Sequence, residues 1–179
     1  RTPDYITLKV TEYILHIRSG GTMQDIFRAL DEIDTGAIGV LITEAQLERP
    51  GPKILYVNKS WSKLMQYTLE EVVGHSPRMF QGPKTNRDVL TQLKLRLSQG
   101  HTFNGFTVNY KKDRTEVCVV WSIFPANIKG VGVYFSLVRE TGVEVYNKLL
   151  QPPDLSIFTT SFFPEHGVFE PPVCCNGSE

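Results

Sequence analysis

Residues 74–83 have the sequence GHSPRMFQGP and lie between two patterns typical of helix starts. Upstream, residues 68–71 (TLEE) fit a capping box, in which the two end residues bond through their side chains to each other's backbone N–H groups. Downstream, residues 85–88 (TNRD) fit the same pattern. They open a longer helix that Gly100 ends, and its buried face is predicted to hold Val89, Leu90, Leu93 and Leu97. The middle of the chain is therefore predicted to contain several short helices.

Extended segments flank these helices on both sides. Residues 37–43 and 53–58 are apolar runs separated by a loop rich in Pro, Gly and charged residues, which is typical of two strands joined by a hairpin. Three further strand-like segments follow the helices, at residues 102–111, 116–124 and 131–139. Two strands, several helices and three strands predict an α+β domain.

An amphipathic helix is predicted before the first strand. Its apolar residues recur at the 3.6-residue period and are Met23, Ile26, Phe27, Leu30 and Ile33. Thr22 and Asp25 fit a capping box at its start. Because an apolar stripe must be buried, we expect this helix to lie on the sheet or in a dimer interface. A further helix is predicted after the last strand, over residues 143–150.

Composition limits the classes of function. The 179 residues contain 19 basic and 19 acidic side chains, so no net charge favours nucleic acid or a membrane surface, and no direct nucleic-acid contact is predicted. No apolar run is long enough to span a bilayer, and three cysteines do not form a disulfide framework. An intracellular location, cytoplasmic or nuclear, is therefore favoured. The four histidines lack metal-ligand spacing, no catalytic motif is present, and we expect neither a metal site nor an enzyme.

The chain resembles the light-oxygen-voltage branch of PAS domains, which bind flavin mononucleotide (FMN). The resemblance spans about residues 37–141 and implies a five-stranded antiparallel sheet with helices on one face. The motifs that carry it occur in the family's order and are LITE at 41–44, ILYVN at 54–58, residues 67–74, Arg78, QGPKT at 81–85 and NYKKD at 109–113. Residues 80–85 also resemble the cytoplasmic PAS domains of voltage-gated potassium channels.

The resemblance implies a ligand site with two parts. Arg78, Gln81 and Lys94 match the positions that contact the phosphate and the ribityl chain, and Asn109 matches the first asparagine that contacts the flavin ring. These four residues are the candidate cofactor-binding residues. The family's photoactive cysteine, in an Asn-Cys-Arg motif, is replaced by Pro77. Proline has no thiol, so a covalent flavin adduct is not expected here.

Other positions on the ring side also differ from the family. Val119 stands at the second asparagine, and the glutamine of the last strand aligns with Arg139, or with Val138 if one residue is gapped. Each unpaired polar group of a buried flavin costs about 1–3 kcal/mol, which weakens binding by roughly tenfold to more than a hundredfold. Leu137 aligns with a glycine and Trp121 with a smaller side chain, so a cavity filled by the protein's own side chains is a coherent alternative to an open one that binds a ligand. By strand alternation, Cys118 lies on the face opposite Val119 and Trp121.

The sequence leaves three functions open. The favoured one is a non-catalytic sensory or regulatory interaction module that contacts another copy or a protein partner. The second is a sensor that binds flavin or another phosphate-bearing ligand without a covalent bond. The third is the regulatory PAS domain of a channel, kinase or cyclase.

The chain is predicted to have three parts. These are an N-terminal extension (1–35), the PAS-like domain (36–142) and a C-terminal extension (143–179). The tail from Asp154 is rich in aromatic residues and proline, and we expect it to pack on its own domain or to bind a partner. Because the chain begins at Arg1, we expect it to be part of a longer protein.

Overall fold

Five antiparallel strands form one sheet in the order β2-β1-β5-β4-β3. A computed structural model describes residues 22–32, 36–128 and 130–150. The strands are β1 (Gly39–Glu44), β2 (Ile54–Val57), β3 (Phe103–Tyr110), β4 (Glu116–Ile128) and β5 (Val131–Glu140). The predicted α+β fold with a five-stranded antiparallel sheet is confirmed.

The helices follow the predicted order. They are α1 (Met23–Glu32), α2 (Lys59–Met65), α3 (Leu69–Val72), a 3₁₀ helix (Pro77–Phe80), α4 (Arg87–Ser98) and α5 (Val143–Leu150). The helices from α2 to α4 connect β2 to β3 and lie on one face of the sheet, here called the inner face. Trp61, Met65, Val72, Phe80 and Leu97 from these helices are buried there against the sheet.

Helix α1 covers the opposite face of the sheet, here called the outer face. Of the two predicted positions, on the sheet or in a dimer interface, the structure shows the first. Ile26 and Leu30 are each 2% exposed and pack against residues of β1, β2 and β5. Phe27 stacks on Tyr56 with 4.7 Å between ring centroids, and the Tyr56 hydroxyl donates a hydrogen bond of 2.8 Å to Asp31 Oδ1. The apolar stripe predicted from the sequence is therefore buried on the sheet.

Two of the three predicted capping boxes are present. Thr22 and Asp25 exchange hydrogen bonds at the start of α1, and the Thr68 N–H donates to Glu71 Oε2 at 3.0 Å. The third prediction is wrong, because Asn86 caps α4 by accepting from the N–H groups of Asp88 and Val89. Thr85 instead donates to the Val108 carbonyl at 2.7 Å, which fastens the preceding loop to β3.

Strand β4 is longer than predicted. It continues from Phe124 through Pro125 to Ile128, paired only with β5 because the pairing with β3 ends at Ile123. Proline is tolerated in a strand where one side has no partner strand. The sequence alone does not show where the pairing with β3 ends, so the strand is predicted to stop before Pro125.

Of the remaining predictions for the two ends of the chain, only that of helix α5 is confirmed. Helix α5 occupies the predicted residues 143–150. The expectations for residues 1–21, for Ile33 and for the tail from 151 lie outside the described residues. The division of the chain at residues 35 and 142 stays a prediction.

Candidate functional site

A cavity of about 770 Å³ lies between the inner face of the sheet, the 3₁₀ helix and α4. This volume falls within the roughly 300–1,000 Å³ typical of small-molecule sites. Of the two alternatives that the sequence leaves open, the structure therefore favours an open cavity over one filled by the protein's own side chains.

The inner wall of this cavity is apolar and aromatic. Trp61 and Phe80 meet edge to face with 5.1 Å between ring centroids, and Trp121 and Tyr134 line the sheet side. Burial raises the pKa of the Tyr134 hydroxyl above its usual value of about 10. Such a wall suits a planar aromatic group, because ring faces stack on one another.

Strand register explains why the cavity is open. Leu137, which the ungapped alignment places where a flavin ring would lie, packs on the outer face in the cluster beneath α1. Its neighbours Ser136 and Val138 line the cavity instead, because successive side chains of a strand alternate between faces. The gapped alignment, which places Val138 at the family's glutamine, is therefore the one that fits the structure. In that alignment Ser136 stands at the position of the glycine.

Trp121 lines the cavity, as expected, and the residue opposite it on the neighbouring strand leaves space for its indole ring. Trp121 pairs with Gly105 on β3. A Cβ atom at Gly105 would lie 2.5 Å from the Phe103 ring, so no side chain fits at this position without displacing that ring. The indole therefore lies beside a position that carries no side chain.

All four residues predicted for the site line this one cavity. Arg78 lies on the 3₁₀ helix, Gln81 directly follows it, Lys94 lies on α4, and Asn109 lies on β3. Lys94 Nζ is 3.1 Å from Glu48 Oε1, and both side chains are more than half exposed, so this ion pair is weak. The structure brings the four residues together, and their role in binding stays a prediction.

Local geometry fixes the position of Arg78. Ser76 caps the 3₁₀ helix by accepting from the Arg78 N–H at 3.4 Å, and Pro77 takes the first helical position, where a missing N–H costs nothing. Gly51 has φ +106°, and a Cβ atom there would lie 2.9 Å from Ser76 Oγ and 3.2 Å from Arg78 Nε. The loop before β2 therefore packs closely against Ser76 and Arg78 only because residue 51 is glycine.

A third cation lines the cavity and was not among the predicted site residues. Arg87 lies in the first turn of α4, and its Nη1 donates to Gln81 Oε1 at 3.0 Å. Arg87 precedes Lys94 by seven residues, which places both on the same face of the helix. This spacing is the sequence feature from which Arg87 could have been predicted as a site residue. Among the described residues that line the cavity, three are basic and none is acidic.

Cys118 lies on the outer face, as the alternation predicted. It packs beside Phe106, Val108 and Val120, whereas Val119 belongs to the inner core. Burial, and next Glu116, raise the pKa of the Cys118 thiol. This thiol is therefore separated from the cavity by the sheet and is poorly ionised.

Within the part of the chain that the structure describes, no group of three or more His, Cys, Asp or Glu side chains is arranged to hold a metal ion. In the same residues, no helix has both the length and the apolar character needed to cross a membrane.

Curated relatives of this chain include sensory and regulatory proteins. A "Blue-light photoreceptor" of Listeria innocua is 24% identical over 68% of the chain and 47% of its own length. A "Bacterioopsin transcriptional activator" of Halobacterium salinarum is 33% identical over 45% of the chain and 12% of its own length. The chain therefore spans less than half the length of either relative.

Solved structures and a family model agree on the fold. A light-oxygen-voltage domain from work on a flavin analogue superposes with a TM-score of 0.57 at 23% identity, over 63% of this chain and 83% of that one. The family model described as PAS domain matches residues 39–142, more than half of the chain. The chain belongs to the PAS domain family, and it contains a sensory module with the light-oxygen-voltage fold.

Proposed function

We propose that this chain is a non-catalytic sensory or regulatory module whose cavity binds a planar aromatic ligand that carries a phosphate. The ligand is held without a covalent bond, and FMN is its expected example. One observation carries the proposal. A cavity of about 770 Å³ combines an aromatic inner wall with a wholly cationic set of charged lining residues.

The residues present fit most of an FMN molecule. Arg78 and Lys94 supply donors for the phosphate, and charge-assisted hydrogen bonds to phosphate are among the strongest that proteins form. Trp61 and Trp121 offer faces or edges to a ring system. Asn109 provides an amide for the ring's polar edge, and Val138 provides none. We therefore expect FMN to bind more weakly than in a site with a glutamine at that strand position.

Within this proposal, each side chain has a limited task. FMN supplies absorption of blue light and a reducible ring when it is bound. The cations bind and orient the phosphate end, and the apolar wall excludes water from the ring. Arg87 holds the Oε1 atom of Gln81, which leaves the Gln81 amide N–H groups as the donors for a ligand.

A covalent adduct is not part of this function. Pro77 stands at the position that resembles the family's photoactive cysteine, and Cys118 lies on the far side of the sheet. A proline side chain has no thiol, so it cannot form a thioether with a flavin. Any response to light in this chain would therefore start from a non-covalently bound ligand.

The output is proposed to be a change in contacts with a protein partner or a second copy, inside the cell. Two Listeria relatives are named blue-light photoreceptors, which supports light as one input. Since the chain spans less than half of the relatives described above, its effector is proposed to lie in another domain or another protein.

An FMN titration of the ligand-free protein tests the proposal. We expect saturable quenching of flavin fluorescence, and at least a hundredfold weaker binding for the variant Arg78→Ala/Lys94→Ala, because two charge-assisted contacts are lost. Lys59→Ala/Lys63→Ala is the matched control, since it removes two exposed lysines from α2 that do not line the cavity. Absence of saturable binding, or equal binding by both double variants, would contradict the proposal.

A further inference from the structure

A short loop joins the 3₁₀ helix to α4 and has a cavity residue at each end. Gln81 directly precedes this loop, here called the edge loop (82–86), and Arg87 directly follows it. Both side chains line the cavity, and Arg87 Nη1 donates to Gln81 Oε1 at 3.0 Å. The position of the edge loop therefore affects the positions of both side chains.

The second half of the edge loop is bound to β3, which is an edge strand of the sheet. Thr85 Oγ1 donates to the Val108 carbonyl at 2.7 Å, and the Asn86 N–H donates to Thr107 Oγ1 at 2.9 Å. Both threonines are buried, so these hydrogen bonds are costly to break. They hold the end of the loop that leads into α4.

Tyr110 holds the first half of the edge loop. A Cβ atom at Gly82 would lie 2.2 Å from Tyr110 Cε2, so the ring packs directly on the loop backbone. The Lys84 N–H also donates to the Tyr110 hydroxyl oxygen at 3.1 Å. Tyr110 is buried in the outer-face cluster with Phe106, whereas its neighbour Asn109 lines the cavity. Tyr110 therefore connects the outer face to the backbone beside Gln81.

The Tyr110 hydroxyl has a second partner on the sheet. It donates a weak hydrogen bond of 3.4 Å to Glu116 Oε1, and Glu116 Oε2 accepts from Lys84 Nζ at 2.8 Å. Glu116 is the residue of β4 that pairs with Tyr110. The hydroxyl therefore accepts from the edge loop and donates to the sheet. Phenylalanine at this position keeps the ring but neither hydrogen bond.

We propose that Tyr110 is a positioning residue of the ligand site, which acts from the outer face through the edge loop on Gln81. This inference rests on the proposed function, in which Gln81 binds the ligand. The Tyr110 side chain does not line the cavity, so its effect is indirect. Without its hydroxyl the first half of the loop loses a fixed contact, and ordering Gln81 then costs free energy when the ligand binds.

A double-mutant cycle on FMN binding tests this role. Dissociation constants are measured for the wild type, Tyr110→Phe, Gln81→Ala and the double variant. We expect Tyr110→Phe to weaken FMN binding about fivefold in the wild type and less than about twofold in the Gln81→Ala background. Tyr67→Phe is the matched control, because Tyr67 is another partly buried tyrosine that does not line the cavity. It should change the affinity by less than about twofold.

Amide hydrogen exchange gives a readout that needs no ligand. In the ligand-free protein, exchange of the Lys84 N–H should be at least about fivefold faster in Tyr110→Phe than in the wild type, because its acceptor is lost. Unchanged exchange would overturn the hydroxyl as the anchor of the edge loop.

The outcomes separate this inference from the proposed function. If the wild type binds FMN and Tyr110→Phe binds it equally well, the positioning role is refuted and the proposed function stands. An equal loss in both backgrounds would also refute it, since Tyr110 would then act independently of Gln81. If the wild type binds no FMN, the proposed function is refuted and the positioning role with it.

Discussion

Replacing Leu93 by tryptophan tests whether the cavity is open space that a ligand uses. Leu93 lies on α4, is half-buried, and lines the cavity while it packs against the inner core. We expect a tryptophan at this position to extend into the cavity without displacing a neighbouring core side chain. We therefore expect a more stable protein that has lost its ligand site.

The magnitude follows from the area that the larger side chain buries. Aromatic side chains bury about 150–250 Å², so the exchange of leucine for tryptophan adds roughly 60–80 Å² of buried surface. At about 25 cal/mol per Å² this corresponds to roughly 1.5–2 kcal/mol. Ordering of the indole reduces the net gain to about 1 kcal/mol.

Urea unfolding of the ligand-free protein measures this gain, and FMN titration measures the loss of binding. The control Val73→Trp adds the same side chain at a site that is 45% exposed and outside the cavity, and we expect no gain in stability from it. Destabilisation of Leu93→Trp by more than 1 kcal/mol would show overpacking, which refutes the open cavity. FMN binding as tight as in the wild type would refute the cavity as the ligand site.

Three further predictions concern single side chains. Burial, and next the hydrogen bond to Asp31, raise the pKa of Tyr56 above the value of about 10 that it has in the unfolded chain. The contribution of Tyr56 to stability is therefore complete below about pH 10 and declines as the pH rises further. Tyr56→Phe should cost about 1.5 kcal/mol at pH 8 and less at pH 11 by urea unfolding; an equal cost at both would contradict this. Asn58→Ala should cost about 3 kcal/mol, because Asn58 Oδ1 accepts from the buried N–H groups of Val40 and Trp61, and a cost below 1 kcal/mol would show that water replaces it. Val138→Gln should tighten FMN binding about tenfold by adding a partner for the ring edge, and unchanged affinity would mean that the ring edge lies elsewhere.

Local patterns were sufficient to predict most of the fold. The period of Ile26, Phe27 and Leu30, and the capping residues Thr22 and Asp25, determine α1 through contacts within a few residues. The cap of α4 was misassigned because Thr85 has a distant partner, the Val108 carbonyl on β3. The strand beyond Pro125 was missed for a similar reason, since its tolerance depends on where β3 ends.

The candidate site was predictable only in part. Motif positions identified Arg78, Gln81, Lys94 and Asn109, and the fold places all four around one cavity. The sequence leaves open whether this cavity is filled, because one residue of alignment decides whether Leu137 or Ser136 faces inward. A shift of one residue in a strand exchanges its two faces, so the argument that Leu137 obstructs the cavity holds only for the ungapped alignment.

Isolation of the protein after expression with excess riboflavin tests the central claim most directly. The visible absorption spectrum is recorded before and after blue illumination, and the mass of the denatured chain is measured after illumination. The account predicts a flavin absorption band in the purified protein and a chain mass without added flavin. A protein that retains no flavin, or a chain whose mass has increased by one flavin, would contradict it.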